Sequence, residues 1–546
     1  MSAAPRNPSA PPAHYDFIVV GAGAAGCLLA NRLSADPRHR VLLLEAGGRD
    51  DSIWYRVPVG YRYTIGNPRS DWCYVSEPEP GLNDRVLKHP RGKVLGGSTA
   101  INGMVCIRGQ AADYDGWRDL GLPGWGWSDV LPFFKQHEDH FAGASEHHGA
   151  GGEWRVAASR MWWPMLDAVR DAAVATGIPA VDDFNRGDNF GVGPIHVNQR
   201  AGRRWSAADA FLKPVLKRPN LTLVTGALVD RVLFEGQRAV GVAWRCGEVA
   251  HSAAATREVV LAAGALSSPQ ILMRSGIGPS AHLVEHGIHP LVDLPGVGAN
   301  LQDHLQIGLR YRLEAAETLN AAMNSNLAKA GMALRYAVTG RGPLTMAPCQ
   351  LGIFARSSAQ ATRADLGFNV LAFSRAQFAA PFDPFPGLTM IVYDLRPTSR
   401  GELRLRGSDP AAAPAIRVNF LATARDRQVA ANAIRVTRRI VGQPALARYK
   451  PLESWAGAAV RDDDEDRLVE AAANSGSSIF HPVGTAKMGL AGDAMAVVDG
   501  ALRVIGVGGL RVIDASVMPT LVSGNTAMPT LMIAEKGAAF LLAKAS

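Results

Sequence analysis

The segment that most constrains the fold of this chain is YDFIVVGAGAAGCLLANRLSADPRHRVLLLEAGG, which occupies residues 15–48. Residues 15–20 are an apolar run typical of a buried strand, and residues 24–33 have helical periodicity. Between them, Gly21, Gly23 and Gly26 form a GxGxxG pattern, and a second strand at residues 40–44 leads to Glu45. This order of parts predicts a βαβ unit that binds a dinucleotide.

The chemistry of that unit narrows the ligand. Glycines let the backbone approach a pyrophosphate, and the helix N-terminus faces its negative charge. Glu45 can accept hydrogen bonds from ribose hydroxyls, and its own charge disfavours a 2′-phosphate. The unit is therefore predicted to take FAD or NAD rather than NADP, and the sequence pattern alone leaves these two open.

The composition predicts a large, well-packed protein. The chain has 546 residues, enough for roughly two to four domains, and 47% of them are hydrophobic. The net charge of +8 is spread over scattered Lys and Arg residues without a basic run that interleaves aromatic residues. No nucleic-acid partner is therefore predicted.

The cysteines and the N-terminus bear on the location of the protein. Five cysteines, an odd number, are widely spaced and never form a CxxC pattern, which favours a reducing cytoplasm. Residues 1–14 are rich in Pro and Ala without an apolar core, so they are predicted to be a disordered tail rather than a signal peptide. No apolar run approaches the ~20 residues that cross a bilayer, which leaves only peripheral membrane contact open.

Two further glycine-rich segments follow. RGKVLGGSTAINGMVCIRG, residues 91–109, has a paired glycine turn and small hydroxyl residues that would let backbone amides reach a flat ring. GALSSPQILMRSGIG, residues 264–278, follows the strand-like REVVLAAG. This position is the carboxyl end of a strand, where open α/β sheets bind ligands.

With these segments the chain resembles the glucose-methanol-choline (GMC) family of flavoprotein oxidoreductases, from residue 15 to the C-terminus. The resemblance implies FAD as cofactor. Cys106 departs from the family pattern, and Ile101 stands where members with covalently attached FAD can carry histidine, so noncovalent FAD is implied. The implied fold is α/β (α+β overall), with a Rossmann-like FAD-binding domain of residues 15–158, 215–310 and 470–546. An antiparallel-sheet substrate domain would take residues 159–214 and 311–469.

The resemblance also implies a set of cofactor contacts. A helix that starts near Pro529 would point its N-terminus at the flavin N1 and C2 carbonyl and stabilise the reduced, negatively charged ring. The implied contacts are Gly21, Gly23, Ala24, Ala25, Gly26, Glu45, Ala46, Val94, Gly97, Asn102, Val105, Val229, Asp514, Ala515 and Thr526.

The segment SSIFHPVGTAKMG, residues 477–489, supplies the catalytic group. His481 matches the family's catalytic histidine, and Asn525 matches a second position that is histidine in some members and asparagine in others. The resemblance implies that His481 removes the hydroxyl proton of an alcohol while hydride leaves its α-carbon. Asn525 would orient the hydroxyl and hydrogen-bond the developing alkoxide.

The substrate is the least determined part of the prediction. Phe480, Met104 and Met528 predict an apolar pocket, and the segment PCQLGIFARS has neutral Gln350 where choline-active relatives place a glutamate. An uncharged primary alcohol, aromatic or medium-chain aliphatic, is favoured, with the aldehyde as product. Choline oxidation and a hydroxynitrile-type lyase are the alternatives, and a catalytically inactive flavin module is disfavoured by the His481 and Asn525 pair. Oxygen and a quinone-like acceptor both stay open.

Two clusters suggest metal binding, and neither is assigned a metal. Residues 137–152 contain four histidines in glycine-rich surroundings without a cysteine partner, and a mobile lid near the active-site entrance is favoured there. The acidic run DDDED at residues 462–466 is flanked by arginines and is predicted to start a solvated helix.

Overall fold

The computed structural model describes residues 14–377 and 380–543, and within these ranges two large sheets hold seven strands each. Residues 1–13 of the predicted tail lie outside the described residues, whereas His14 already belongs to the first strand. The strands of the two sheets are β1 His14–Val20, β2 Val41–Glu45, β3 Gly191–Pro194, β4 Leu221–Thr225, β5 Ala227–Glu235, β6 Arg238–Cys246, β7 Val249–Leu261, β8 Leu305–Arg312, β9 Leu351–Ala355, β10 Leu366–Leu371, β11 Gly387–Asp394, β12 Leu452–Glu453, β13 Ser477–Ser478 and β14 Leu510–Val512.

The first sheet confirms the predicted βαβ unit. Its order is β4-β2-β1-β7-β6-β5, and β14 also pairs with β7. The pairs β4–β2, β2–β1, β1–β7 and β7–β14 are parallel. The pairs β5–β6 and β6–β7 are antiparallel. Val20 pairs with Leu44 of β2 and with Leu261 of β7, so these strands end at one edge. Every residue of β2 is buried, as expected for a parallel strand covered on both faces.

Helices surround both sheets. Helix α1 (Ala24–Leu33) packs against β1, β2 and α13 (Ala527–Leu542). Helix α10 (Ala424–Val441) packs against β11 and α12 (Glu465–Ser475). The helices are α1 Ala24–Leu33, α2 Tyr61–Thr64, α3 Ala111–Asp119, α4 Trp127–His137, α5 Met165–Ala175, α6 Ser268–Arg274, α7 Ser280–Glu285, α8 Leu319–Met323, α9 Asn326–Thr339, α10 Ala424–Val441, α11 Pro444–Ala447, α12 Glu465–Ser475 and α13 Ala527–Leu542. No helix within residues 14–377 and 380–543 is both long enough and apolar enough to cross a bilayer.

The second sheet is antiparallel throughout. Its order is β12-β8-β11-β10-β9-β3, with β13 paired to β8. Val429, Ala433, Val436 and Ile440 recur at helical spacing and are buried on α10. Two further strands, Glu402–Arg404 and Ala415–Arg417, pair with each other in a separate two-stranded sheet.

The strands of the two sheets can be compared with the predicted domain ranges. From residue 15 onward, all strands of the first sheet fall in the ranges assigned to the FAD-binding domain, whereas β8 and β13 of the second sheet begin inside those ranges. The pairing of Leu305 with Ser478 therefore brings the chain around residue 304 next to the chain that leads to His481. The division into domains itself stays a prediction.

The acidic run at residues 462–466 begins α12, as predicted. The Asp464 carboxylate caps the helix by accepting the backbone N–H of Arg467, and Glu465 and Asp466 occupy the first turn. Negative charge at a helix N-terminus is stabilising, which explains the cluster without a metal.

Candidate active site

A continuous cavity extends from the carboxyl-end edge of the first sheet to the second sheet. Its wall includes most of the residues that the sequence predicted, although they come from four distant parts of the chain. The predicted residues on the wall are Gly21, Gly23, Ala24, Ala25, Glu45, Ala46, Gly97, Asn102, Met104, Val105, Val229, Phe480, His481, Asp514, Ala515, Asn525 and Thr526.

Two predicted cofactor contacts lie behind this wall. A Cβ on Gly26 would stand 1.7 Å from the Gly21 carbonyl oxygen, so this glycine lets α1 pack directly on the glycine loop. Val94 is buried in a small apolar cluster with Tyr55 and Ile101. Both residues shape the wall from beneath, and their contact with the cofactor stays a prediction.

Two predicted substrate contacts are also buried beneath the wall. Gln350 is fully buried, and its side-chain amide donates a hydrogen bond of 3.0 Å to the Ala347 carbonyl. Met528 is buried within the core at the start of α13. Neither side chain lines the cavity, and their contact with the substrate stays a prediction.

The glycine loops form a cradle at the first-sheet end of the cavity. Gly97 has φ +53°, and a Cβ there would stand 2.7 Å from the Cα of Gly23. The two loops therefore touch backbone to backbone. Beside them, α1 begins after Gly23 with no acidic residue in its first turn, which leaves its N–H groups and positive dipole end suited to a pyrophosphate.

Glu45 ends β2 on the same wall. Its carboxylate accepts the backbone N–H of Ala22 at 2.8 Å and of Gly47 at 2.7 Å. Burial raises the pKa of Glu45 to about 7, although these two hydrogen bonds oppose the rise. Each carboxylate oxygen keeps a further acceptor site, which suits the hydroxyls of a ribose.

Asp514 joins two cavity segments rather than offering its side chain. One oxygen of its carboxylate accepts the Gly264 N–H at 2.8 Å and the Ser268 hydroxyl at 2.6 Å, and the other accepts the N–H and hydroxyl of Ser516 at 2.8 and 2.6 Å. Four donors saturate a carboxylate. The Asp514 side chain therefore has no acceptor site free for a cofactor, and only its main chain could contact one.

His481 lies at the opposite end of the cavity, between two polar partners. Its Nδ1 is 3.0 Å from Nδ1 of His304, and its Nε2 is 3.0 Å from Nδ2 of Asn525. Burial, with His304 and Arg91 nearby, holds the pKa of His481 well below its usual value. The imidazole is therefore neutral at pH 7.

The hydrogen bonds also determine which nitrogen of His481 is free. The Leu395 carbonyl, 3.1 Å from His304 Nε2, can only accept, so that nitrogen carries the hydrogen. Burial lowers the pKa of His304 to about 4, against the raising effect of hydrogen bonds to the backbone of Leu395 and Val522, and keeps this ring neutral. With its hydrogen on Nε2, the Nδ1 of His304 is an acceptor. His481 must then donate through Nδ1, and the lone pair of its Nε2 accepts from the Asn525 amide.

A buried carboxylate holds this part of the chain in place. Asp303 accepts the backbone N–H of His481 and of His304, each at 2.8 Å, and also the Ser478 hydroxyl. Burial raises the pKa of Asp303 to about 6, against the lowering effect of these hydrogen bonds. One side chain thus connects both histidine segments.

The residue before His481 has a strained backbone. Phe480 has φ +73°, a left-handed conformation that costs energy for a bulky residue. Its N–H donates to the Ser478 hydroxyl at 2.8 Å, and its carbonyl accepts from the Arg91 guanidinium at 2.5 Å. His481 follows this strained turn and faces Asn525. Arg91 itself lies on the cavity wall.

The sequence reasoning missed Asp303, His304 and Arg91. An adjacent Asp-His pair directly before β8, in the run NLQDHLQIG, was the only local signal. An isolated pair of this kind is common in structural roles, and its relation to His481 arises from the pairing of β8 with β13. The sequence therefore did not reveal that the Asp303–His304 pair lies next to His481, because the two segments are far apart along the chain.

Around His481 the wall combines apolar and aromatic residues with the polar side chains of Arg91, Gln306 and Asn369. Glu45 and Asp514 are the only carboxylate residues among the described lining residues, and both are in the dinucleotide-binding part of the wall; Arg375 joins the lining from the second sheet's side. The remaining residues of this part of the wall include Tyr61, Ile65, Ile101, Pro348, Cys349, Leu371, Phe373, Ile391 and Phe480.

The histidine-rich segment at residues 137–152 does not contribute to this wall. Instead, His148 lies between the carboxylates of Glu138 and Asp183, at 2.9 Å from each. Burial lowers the pKa of His148, but the two carboxylates outweigh it and raise the pKa above its usual value. The lid predicted for this segment is corrected to a packed, ion-paired element.

One cavity joins the glycine cradle of the first sheet to the His481–Asn525 pair. This combination is typical of a dinucleotide-dependent oxidoreductase. Family models sharpen this class. The N-terminal model of the GMC oxidoreductase family matches residues 15–306, and its C-terminal model matches residues 397–534. The chain belongs to the GMC oxidoreductase family, whose members are FAD flavoproteins, and is an oxidoreductase that acts on CH–OH groups.

Individual relatives cover nearly the whole chain. An oxygen-dependent choline dehydrogenase of Brucella melitensis is 39% identical over 97% of this chain and 96% of its own. The mitochondrial choline dehydrogenase of Homo sapiens is 40% identical over 96% of this chain and 89% of its own. The crystal structure of pyridoxine 4-oxidase from Mesorbium loti is 32% identical, with a TM-score of 0.86 over 96% of this chain and 98% of that one.

Proposed function

We propose that this protein oxidises a primary alcohol to the aldehyde with noncovalently bound FAD. The observation that carries the proposal is the pairing of a neutral His481 with Asn525 at 3.0 Å on the cavity wall. When bound, FAD supplies the acceptor for the hydride that leaves the alcohol carbon.

The two residues have complementary roles. The hydroxyl of the substrate displaces Asn525 as the hydrogen-bond partner of His481 Nε2, which takes the hydroxyl proton. The Asn525 amide N–H then donates to the oxygen on which negative charge develops. His304 keeps the proton of His481 on Nδ1, so Nε2 is ready as the base.

The cradle residues are proposed to hold the cofactor. Gly21, Gly23 and the start of α1 take the pyrophosphate, and Glu45 takes the ribose. Near the catalytic pair, the first turn of α13 after Thr526 lies on the wall with no acidic residue, which suits the negative charge of a reduced ring.

Noncovalent attachment is supported by Ile101, an apolar residue on the wall at the position where covalent members can carry histidine. Acid denaturation of purified protein is therefore expected to release all of the yellow flavin into the supernatant. Flavin that stays with the precipitated protein would show a covalent bond from another residue.

Choline is the first candidate substrate. The curated relatives at 39 and 40% identity are choline dehydrogenases, so they support the choline alternative of the sequence analysis better than its preference for an uncharged alcohol. Aromatic rings such as Tyr61, Phe373 and Phe480 on the wall can contact a quaternary ammonium group. Among the described residues that line the cavity near His481 there is no carboxylate, which supports an uncharged aromatic or aliphatic alcohol as the second candidate.

Oxygen is the proposed electron acceptor, since the Brucella relative is named as oxygen-dependent. A quinone-like acceptor is the alternative. The cytoplasmic location rests on the cysteine content alone and stays a prediction; the human relative is named as mitochondrial.

One experiment tests reaction, substrate and acceptor together. The purified yellow protein is mixed without oxygen with choline, benzyl alcohol and a medium-chain aliphatic alcohol in separate samples, and the flavin absorbance is followed. Bleaching identifies the substrate, and rapid return of the colour on admitting air identifies oxygen as acceptor. Recovery only with an added quinone supports the alternative acceptor, whereas no bleaching by any alcohol contradicts the proposed oxidation.

The position of the His481 pKa predicts the pH dependence. A base must be unprotonated, and the pKa of His481 is lowered by burial, so protonation stops catalysis only in acid. The rate constant for flavin reduction is expected to stay level above about pH 6.5 and to fall only below it. Stopped-flow measurements across pH, with flavin retention checked at each value, test this; a midpoint above neutrality contradicts it.

A further inference from the structure

Helix α9 is exposed to an unusual degree. None of its residues is buried, and Leu327, Leu334 and Val338 are 85, 67 and 75% exposed. Their spacing of seven and four residues places them on one face of the helix. The opposite face carries Met332 and Tyr336, which are partly buried against the protein.

A second apolar group stands nearby. Ile53, Trp54 and Tyr63 are 63, 39 and 55% exposed, and the rings of Trp54 and Tyr63 lie 4.1 Å apart. Trp54 belongs to a short helical turn at Ile53–Tyr55, and Tyr63 to α2. Exposed Trp and Tyr rings are characteristic of side chains that reside at a membrane–water interface.

Both groups border one hairpin, at residues 199–204. The Tyr336 hydroxyl of α9 donates to the Gly202 carbonyl at 3.2 Å, and the Arg204 N–H donates to the Arg56 carbonyl at 2.9 Å, next to the turn that holds Trp54. The two groups and the hairpin therefore form one surface, called here the α9 surface. The cavity lies behind it, because Tyr61 and Ile65 on either side of Tyr63 line its wall.

The charged residues of α9 and of the hairpin have one sign. Arg335 lies on α9 at the border of the exposed apolar face, Arg200 and Arg203 lie on the hairpin, and neither element contains an acidic residue. Apolar side chains on an exposed helix with basic residues beside them are complementary to anionic lipid headgroups over an apolar interior. A soluble partner protein would need its own acidic and apolar groove, whereas a bilayer satisfies both requirements at once.

We propose that the α9 surface docks the protein onto a bilayer that contains anionic phospholipid. The apolar residues of α9 and the Trp54–Tyr63 pair enter the interfacial layer, and Arg200, Arg203 and Arg335 contact the headgroups. The helix lies on the membrane and does not cross it, in keeping with its 14 residues.

Vesicle flotation with the full FAD-loaded protein tests this proposal. Wild type is expected to float with vesicles that contain phosphatidylglycerol, to float less with phosphatidylcholine alone, and to be released by high salt. The triple variant Leu327→Gln, Leu334→Gln, Val338→Gln is expected to lower the partition coefficient at least about tenfold. Arg203→Gln with Arg335→Gln is expected to weaken binding to the anionic vesicles selectively.

A matched control uses three comparably exposed apolar residues outside the α9 surface. The triple variant Val249→Gln, Val284→Gln, Leu452→Gln is expected to bind vesicles as wild type does. Flavin content and alcohol oxidation should be unchanged in both triple variants, which shows that each is folded. Absence of wild-type flotation, or equal binding by the α9 variant, overturns the proposal; so does a wild-type dimer that the α9 variant alone dissociates, since a second copy would then cover this face.

Discussion

Replacing His481 with alanine is expected to slow flavin reduction by alcohol about 10²- to 10⁴-fold, the usual cost of losing a general base. The hydrogen bond of His481 Nδ1 to His304 leaves a lone pair on Nε2, and Nε2 faces the Asn525 amide. The protein should stay yellow, because the glycine cradle and Glu45 are at the other end of the cavity. Anaerobic stopped-flow absorbance gives the rate constant directly.

Two further variants serve as comparisons for His481→Ala. Asn525→Ala is expected to slow reduction less than His481→Ala, because it removes a hydrogen-bond donor and leaves the base. His289→Ala, at an exposed histidine outside the cavity wall, should reduce at the wild-type rate. If His481→Ala were reduced as fast as wild type while still loaded with flavin, the proton acceptor would have to be another group.

Gly26→Ala is expected to abolish cofactor loading. The new Cβ would stand 1.7 Å from the Gly21 carbonyl oxygen, a backbone atom that cannot rotate away, so α1 and the glycine loop must separate. Overpacking of this kind costs about 3 kcal/mol of folding free energy, and here it also distorts the cradle for the pyrophosphate. The ratio of flavin to protein absorbance after purification and the melting temperature of the apoprotein measure the two effects.

Gly116→Ala is the matched control for this substitution. Gly116 is also a helical glycine, in α3, but nothing lies within 4 Å of the position of its Cβ. Alanine there should leave flavin content unchanged and raise stability by about 0.5–1 kcal/mol, because it favours the helix. A fully loaded Gly26→Ala protein that melts like wild type would show that the close approach of α1 is unimportant.

The local patterns of the sequence were sufficient for the dinucleotide half of the molecule. Strand, glycine loop, helix and terminal acid follow one another within residues 15–48, so the βαβ unit can be inferred without long-range information. The same holds for α10, whose buried stripe repeats at helical spacing. These features are encoded by neighbours along the chain.

The catalytic end depends on contacts that no local pattern encodes. His481 was identified through a family resemblance, but its free nitrogen is set by His304, 177 residues earlier, and by the Leu395 carbonyl. Gln350, a predicted substrate contact, is buried beneath the wall, although its neighbour Cys349 lines the cavity. Side-chain direction at such positions is decided by tertiary packing, which a single sequence does not reveal.

The contribution of the C-terminal segment to the cavity has a consequence for biosynthesis. Asp514, Asn525, Thr526 and Thr530 complete a wall that begins with Val20, so the ribosome must release the chain through residue 530 before that wall exists. Flavin is therefore expected to bind only after this segment has been made, because the first sheet lacks β14 until then. Truncation near the C-terminus should accordingly yield colourless protein, however well the earlier segments fold.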